Sequence, residues 1–145
     1  MNKLSHNPIN VEIVTPETSF ARDGVYVLLM PGVNGEFGVS PGHVPLLVGL
    51  QAGLVTCYNK EMQVLDKIFI DSGFVEVAAE HATLLVERAV NVSSCNSKDL
   101  TTSFENLIKD LENCKSDIKK QIIEKDIDFT KTLLDIVRKI EWKVA

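Results

Sequence analysis

All eight glycines of this 145-residue chain lie between Gly24 and Gly73, and all five prolines lie between Pro8 and Pro45. Residues 97 to 145 therefore contain neither. Glycine and proline punctuate turns and interrupt helices, so their segregation predicts many short elements first and a few long ones afterwards. Charge follows the same division. Residues 1 to 97 carry five basic and ten acidic side chains, and residues 98 to 145 carry ten of each.

In the first part Ile9, Val11 and Ile13 alternate with Asn10 and Glu12, the period of a strand with one buried face. The runs VYVLLM (25–30), LVTCY (54–58), QVLDKIFI (63–70), FVEVA (74–78) and ATLLVER (82–88) are rich in β-branched and aromatic residues. Short strands at this spacing predict an antiparallel β-sandwich or barrel. Several of them are apolar on both faces, so part of the outer surface is expected to be covered by something else.

In the second part Leu100, Phe104, Leu107, Ile108, Leu111, Cys114, Ile118 and Ile122 recur at steps of three and four, one stripe of a helix, with Ser97 as its expected N-cap. A second stripe follows at Phe129, Leu133, Ile136, Val137, Ile140 and Val144. The register slips at EKDID (124–128), where Asp126 or Asp128 is expected to cap a new helix. The fold class read from the chain is α+β: an N-terminal antiparallel β-sandwich over 1–92 and a C-terminal antiparallel α-helical hairpin over 97–145.

Composition removes several functions. At 45% hydrophobic and 24% charged the chain is globular in character and long enough to fold without metal or disulfide staples. A net charge of −5 with no basic cluster argues against nucleic acid. Cys57, Cys95 and Cys114 form no CxxC pair, which points away from a disulfide framework or a structural zinc and toward a reducing compartment. No apolar run near the N-terminus could act as a signal core or a span, so the protein is expected to be soluble and to reach a membrane only through a partner.

The densest cluster of turn residues is PGVNGEFGVSPGHVPLL (31–47). It lacks the Lys and hydroxyl of a P-loop, and no helix pattern follows it, so tight turns are expected there rather than a phosphate cradle. His43 has no neighbouring His or Cys, and His6 and His81 fall in unrelated segments; a contact or structural histidine is the better reading. Asp71, Glu76, Glu80 and Glu87 stand near strand ends, where ordinary surface charge accounts for them as well as an acid/base pair would. No GxSxG, HExxH or Cys/His pairing occurs, and no cofactor is implied.

GEFGVSPGHVPLLVGLQAGLV (35–55) followed by FIDSGFVEVAAEHATLLVERAV (69–90) resembles the epsilon subunits of bacterial rotary ATP synthases. The pattern covers about Val11 to Val92 and fixes Gly32, Gly35, Gly38, Pro41, Gly42, His43, Pro45 and Leu46; the helical part matches more loosely, by length, position and a DIDF turn.

The resemblance implies a non-catalytic rotor subunit of the central stalk, coupling proton-driven rotation to ATP synthesis at the cytoplasmic face of the cell inner membrane. It implies binding to the gamma subunit and to the polar loops of the c-ring, with Glu36, Phe37 and His43 at the c-ring contact. An extended hairpin would reach the catalytic alpha/beta head and inhibit ATP hydrolysis. Some relatives bind ATP at the start of the first helix; here Asp99 is kept, but the arginine position is Thr102, and Trp142 stands one turn after Arg138, so weak or absent ATP binding is expected. The competing reading is a free-standing binding module that self-associates through a coiled-coil arm.

Overall fold

The computed structural model describes residues 7 to 144. His6 lies outside them, as does the side chain of Val144, the last position of the second stripe. The chain separates into two compact units, one ending at Asn91 and one beginning at Val92.

Among the described residues the first unit holds ten strands: β1 (Ile9–Val14), β2 (Ser19–Val25), β3 (Val27–Gly32), β4 (Gly35–Val39), β5 (Leu46–Leu50), β6 (Gly53–Tyr58), β7 (Val64–Ile70), β8 (Gly73–Val77), β9 (His81–Val86) and β10 (Ala89–Asn91). They form one hydrogen-bonded path, β10-β7-β6-β3-β5-β8-β9-β1-β2, with β4 paired to β3. β3 serves three neighbours: Leu28 to Gly32 pair with β4 on one edge, and the other edge is divided between β6 and β5. Val27 to Leu29 pair with β6, whereas Gly32 pairs with Leu50 of β5.

Alternation decides which side chains go inward. In β1, Ile9, Val11 and Ile13 are at most 2% exposed while Asn10 and Glu12 face solvent. Leu28, Met30, Val55, Cys57, Ile68, Ile70, Val75, Val77 and Leu84 complete a core drawn from both layers. One pairing departs from the antiparallel expectation: β1 and β9 run parallel, Val11 opposite Ala82 and Ile13 opposite Leu84.

Four strands, β2, β4, β5 and β10, were not legible in the sequence. β4 and β5 stand inside or beside the stretch expected to be turns: β4 is GEFGV, whose two glycines and exposed Glu36 hide a strand pattern, and its register is imposed by β3. β2, SFARDGV, places Arg22 at an inward position. There the guanidinium pairs with Asp66 of β7 through Nε to Oδ2 and through a second bond of 3.0 Å, and the pair ties β2 to β7, which are not hydrogen-bonded neighbours; Asp66 is only 8% exposed. A buried carboxylate requires such a partner, and the hydrogen bond from Arg22 supplies it.

The second unit opens with a 3-10 turn (Val92–Ser94), then α1 (Ser97–Asn113) and α2 (Asp117–Val144). Asn96, not Ser97, is the N-cap of α1: its backbone is extended and its side chain accepts from the Asp99 amide at 2.8 Å. The break between helices falls at Cys114–Ser116 rather than at EKDID. Cys114 has extended backbone, and Ser116 starts α2 by accepting from the Lys120 amide through its carbonyl at 2.9 Å and from the Lys119 amide through its hydroxyl at 3.5 Å. The DIDF stretch is therefore helical, and Asp126 and Asp128 lie inside α2 rather than at the start of a helix. Ile118 and Ile122, assigned by periodicity to the first stripe, sit on α2 and are 74% and 56% exposed. Leu133, Leu134 and Val137 are buried. The two helices run antiparallel, with the start of α1 beside the end of α2.

Candidate partner-binding site

The β3–β4 hairpin turns through Val33 and Asn34, both exposed. Gly35 has φ +123°, a conformation an L side chain rarely adopts. Gly32 is required for space: a Cβ there would meet the Gly35 carbonyl oxygen at 2.7 Å and the Phe37 ring at 2.8 Å. Phe37 thus lies across Gly32, half-buried against the core, while Glu36 beside it is exposed and opposite Pro31.

The connection from β4 to β5 is held by backbone. The Gly42 amide donates to the Ala79 carbonyl at 3.1 Å, and the His43 amide donates to the Ser40 carbonyl at 3.2 Å. The His43 ring is half-buried, and its Nδ1 donates to the Val44 carbonyl at 2.7 Å, so the imidazole props the loop. Of the three residues singled out in this stretch, Glu36 presents its side chain to solvent while Phe37 and His43 are in part committed to holding the chain in place.

A surface the sequence did not single out lies on the outer face of β5, β8, β9 and β1. Strand register puts Gly49, Phe74, Leu85 and Val14 in one row across that sheet. Val33 of the hairpin tip extends the row, since a Cβ on Gly49 would stand 3.3 Å from its methyl. Phe74 and Leu85 are 60% and 56% exposed, and Leu47 on the next row is 72% exposed. That next row also carries Glu76, Thr83 and Glu12, so an apolar ridge runs alongside acidic side chains. The signal was present in the apolar outward positions of FVEV and TLLV, but only the register aligns them.

The carboxylates near strand ends do not converge. Asp71 pairs with Arg88 at 3.5 Å, Glu80 accepts from the Asn7 amide group at 3.0 Å, and Glu76 and Glu87 are exposed. Among the described residues no group of three or more His, Cys, Asp or Glu side chains could hold a metal ion. Cys57, buried beneath the sheet, has its thiol pushed up to about 12 by desolvation and then by the charge of Asp66.

These features define a class: a two-layer β-sandwich that presents an exposed hairpin tip and an apolar sheet face, followed by a separate pair of helices. Residues 8–92 match the family model described as ATP synthase, Delta/Epsilon chain, beta-sandwich domain. The ATP synthase epsilon chain of Rhodospirillum centenum is 30% identical over 133 residues, covering 89% of this chain and 91% of that one. That of Rickettsia typhi is 34% identical over 102 residues, 70% of this chain and 93% of the relative. In fold, a chain of the Euglena gracilis mitochondrial ATP synthase (OSCP/F1/c-ring, rotational state 1) aligns with a TM-score of 0.61 at 16% identity, over 95% of this chain and 82% of that one. A chain of the Tetrahymena thermophila mitochondrial ATP synthase central stalk and c-ring aligns at 0.51 and 13% identity, over 91% and 95%.

The chain belongs to the ATP synthase delta/epsilon family, and within it to the epsilon chains, a non-catalytic component of that complex. No helix among the described residues is long and apolar enough to cross a membrane.

Proposed function

We propose that the chain is the adaptor at the foot of the central stalk, holding the gamma subunit with one surface and the c-ring with another on the cytoplasmic face of the inner membrane. The observation that carries the reading is the apolar row. Phe74, Leu85 and Leu47, with Val33 of the neighbouring hairpin tip, leave large apolar side chains in water on a sheet whose opposite face buries Val11, Val75, Val77 and Leu84. Burying one such side chain is worth roughly 1.5–3 kcal/mol, so a complementary partner surface gains several of these at once. Glu76 and Glu12 alongside favour a partner patch with basic residues at its margin.

The gamma subunit fits this description as the apolar partner. The hairpin tip fits the other contact: glycines let another backbone come close, and Glu36 offers a carboxylate to basic or amide groups of the c-ring's polar loops. The helical hairpin is read as a movable element that inhibits ATP hydrolysis when it extends toward the alpha/beta head. A pair of helices that can bury its apolar stripes on either of two surfaces is a two-state switch.

Capture of purified gamma by the full chain tests the first contact. Phe74→Ser with Leu85→Ser is expected to weaken it at least about tenfold while the variant unfolds at the wild-type urea midpoint, because both residues are exposed. Wild-type affinity in that variant, or self-association of the free chain with no uptake of gamma, would overturn the reading. For the hairpin, removing residues 97 to 145 is expected to raise ATP hydrolysis by the reconstituted complex.

A further inference from the structure

We infer that the free end of the helical hairpin is closed by a polar clasp from within the chain, Glu141 and Arg138 of α2 gripping Ser97 and Thr101 of α1, and that this clasp sets how readily the helices part. The Ser97 amide donates to Glu141 Oε1 at 3.0 Å. One turn further along, the Arg138 guanidinium donates to Thr101 Oγ1 at 3.3 Å, and that hydroxyl itself donates to the Ser97 carbonyl at 2.7 Å. The four residues stand one turn apart on each helix, so two adjacent turns are tied twice.

Packing explains why such a clasp matters. The helices are joined covalently only at Cys114–Ser116, and α1 is 17 residues long, so its start is about 25 Å from the link. No residue of α1 is fully buried. Leu100, Phe104, Leu107 and Leu111 are each half-covered, so α1 is held to the buried Leu133, Leu134 and Val137 of α2 by a thin apolar stripe, and polar contacts at the end opposite the link add to it. Glu141 is well placed to do so, because its carboxylate meets an amide at a helix start that has no partner within the helix and carries partial positive charge. Hydrogen bonds from the Ser97 hydroxyl and amide hold its carboxyl below the usual glutamate range.

The clasp rests on the reading of the hairpin as a movable element, yet it is tested apart from inhibition. Hydrogen exchange of the full, isolated chain is read over residues 97–104 and 134–143. With Glu141→Ala, exchange at the free end is expected to quicken about three- to tenfold, the range a lost surface hydrogen bond or cap predicts, while the turn end near Ser116 is unchanged. Arg138→Ala should act in the same direction, and Glu141→Gln, which keeps an acceptor oxygen but no charge, should fall between. Unchanged exchange at the free end in Glu141→Ala and Arg138→Ala overturns the clasp. Should Glu141→Ala lose its helices altogether by circular dichroism, Glu141→Gln and Arg138→Ala decide on the same readout. If the clasp holds but deletion of 97 to 145 leaves hydrolysis unaltered, only the inhibitory reading fails.

Discussion

Among single residues, Gly73 shows how little latitude the β8–β9 pairing leaves. It is opposite Val86, and a Cβ added there would stand 2.0 Å from the Leu85 carbonyl oxygen, a backbone atom that cannot rotate away. Gly73→Ala is therefore expected to cost roughly 3 kcal/mol, seen as a lower urea midpoint with unchanged slope. Gly49 is milder, because a methyl there meets only the tip of Val33. Cys57 makes a chemical prediction. Its thiol ionises in the folded state at about 12, above an ordinary value of 9.0, so the folded protein binds a proton that the unfolded chain releases between those values. Stability is undiminished by this group below about pH 9 and falls as the pH climbs toward 12. At pH 8 in native buffer, alkylation followed by mass spectrometry should find Cys95 and Cys114 modified well before the buried Cys57. Asp66 shows the limit of reading residues singly: within VLDKIFI it looks like an interruption, and only its bonds to Arg22 reveal why a carboxylate sits in that strand.

The elements repeat this lesson with different physics. Periodicity identified two helices but misplaced their junction, because Ile118 and Ile122 continue the α1 spacing while belonging to α2. Apolar spacing records which face could be buried, whereas a helix end depends on where amides find other acceptors. Ser116 supplies that acceptor and Asp128 does not; the Asp128 carbonyl instead accepts from the Thr132 hydroxyl within the helix at 2.9 Å. Ser116→Ala is accordingly expected to cost about 0.5–2 kcal/mol, while Asp128→Ala is neutral or slightly raises helicity, a contrast thermal melts followed by circular dichroism would show. The reverse result would restore the junction to EKDID. Among the strands, those with apolar alternation were legible, and β2 and β4 were not, because an Arg–Asp pair and a neighbour's register supply what their own side chains lack.

For the molecule as a whole, the sandwich closes a core using residues before Asn91 alone, with Ile9, Leu28, Val55, Ile70, Val75 and Leu84 all packed in one cluster. A fragment of residues 1 to 96 is therefore expected to fold cooperatively on its own, with a β-type circular dichroism spectrum and a single urea transition. An unfolded fragment would show that the helical unit contributes to the first core. The chain's sequence determined by itself that strands precede helices, because glycine and proline are confined to the first part and the apolar spacing changes from two to three and four after residue 97. It also determined the family, through the spacing of PGHVPLL and its glycines, whose conformations and close approaches no other residue types reproduce. Tertiary structure alone decided which apolar residues are exposed together. Phe74 and Leu85 are eleven positions apart in the chain, and Gly49 and Val14 lie further still. They share one row because hydrogen-bond register across four strands aligns them, and register is a property of pairs of strands, not of any one of them.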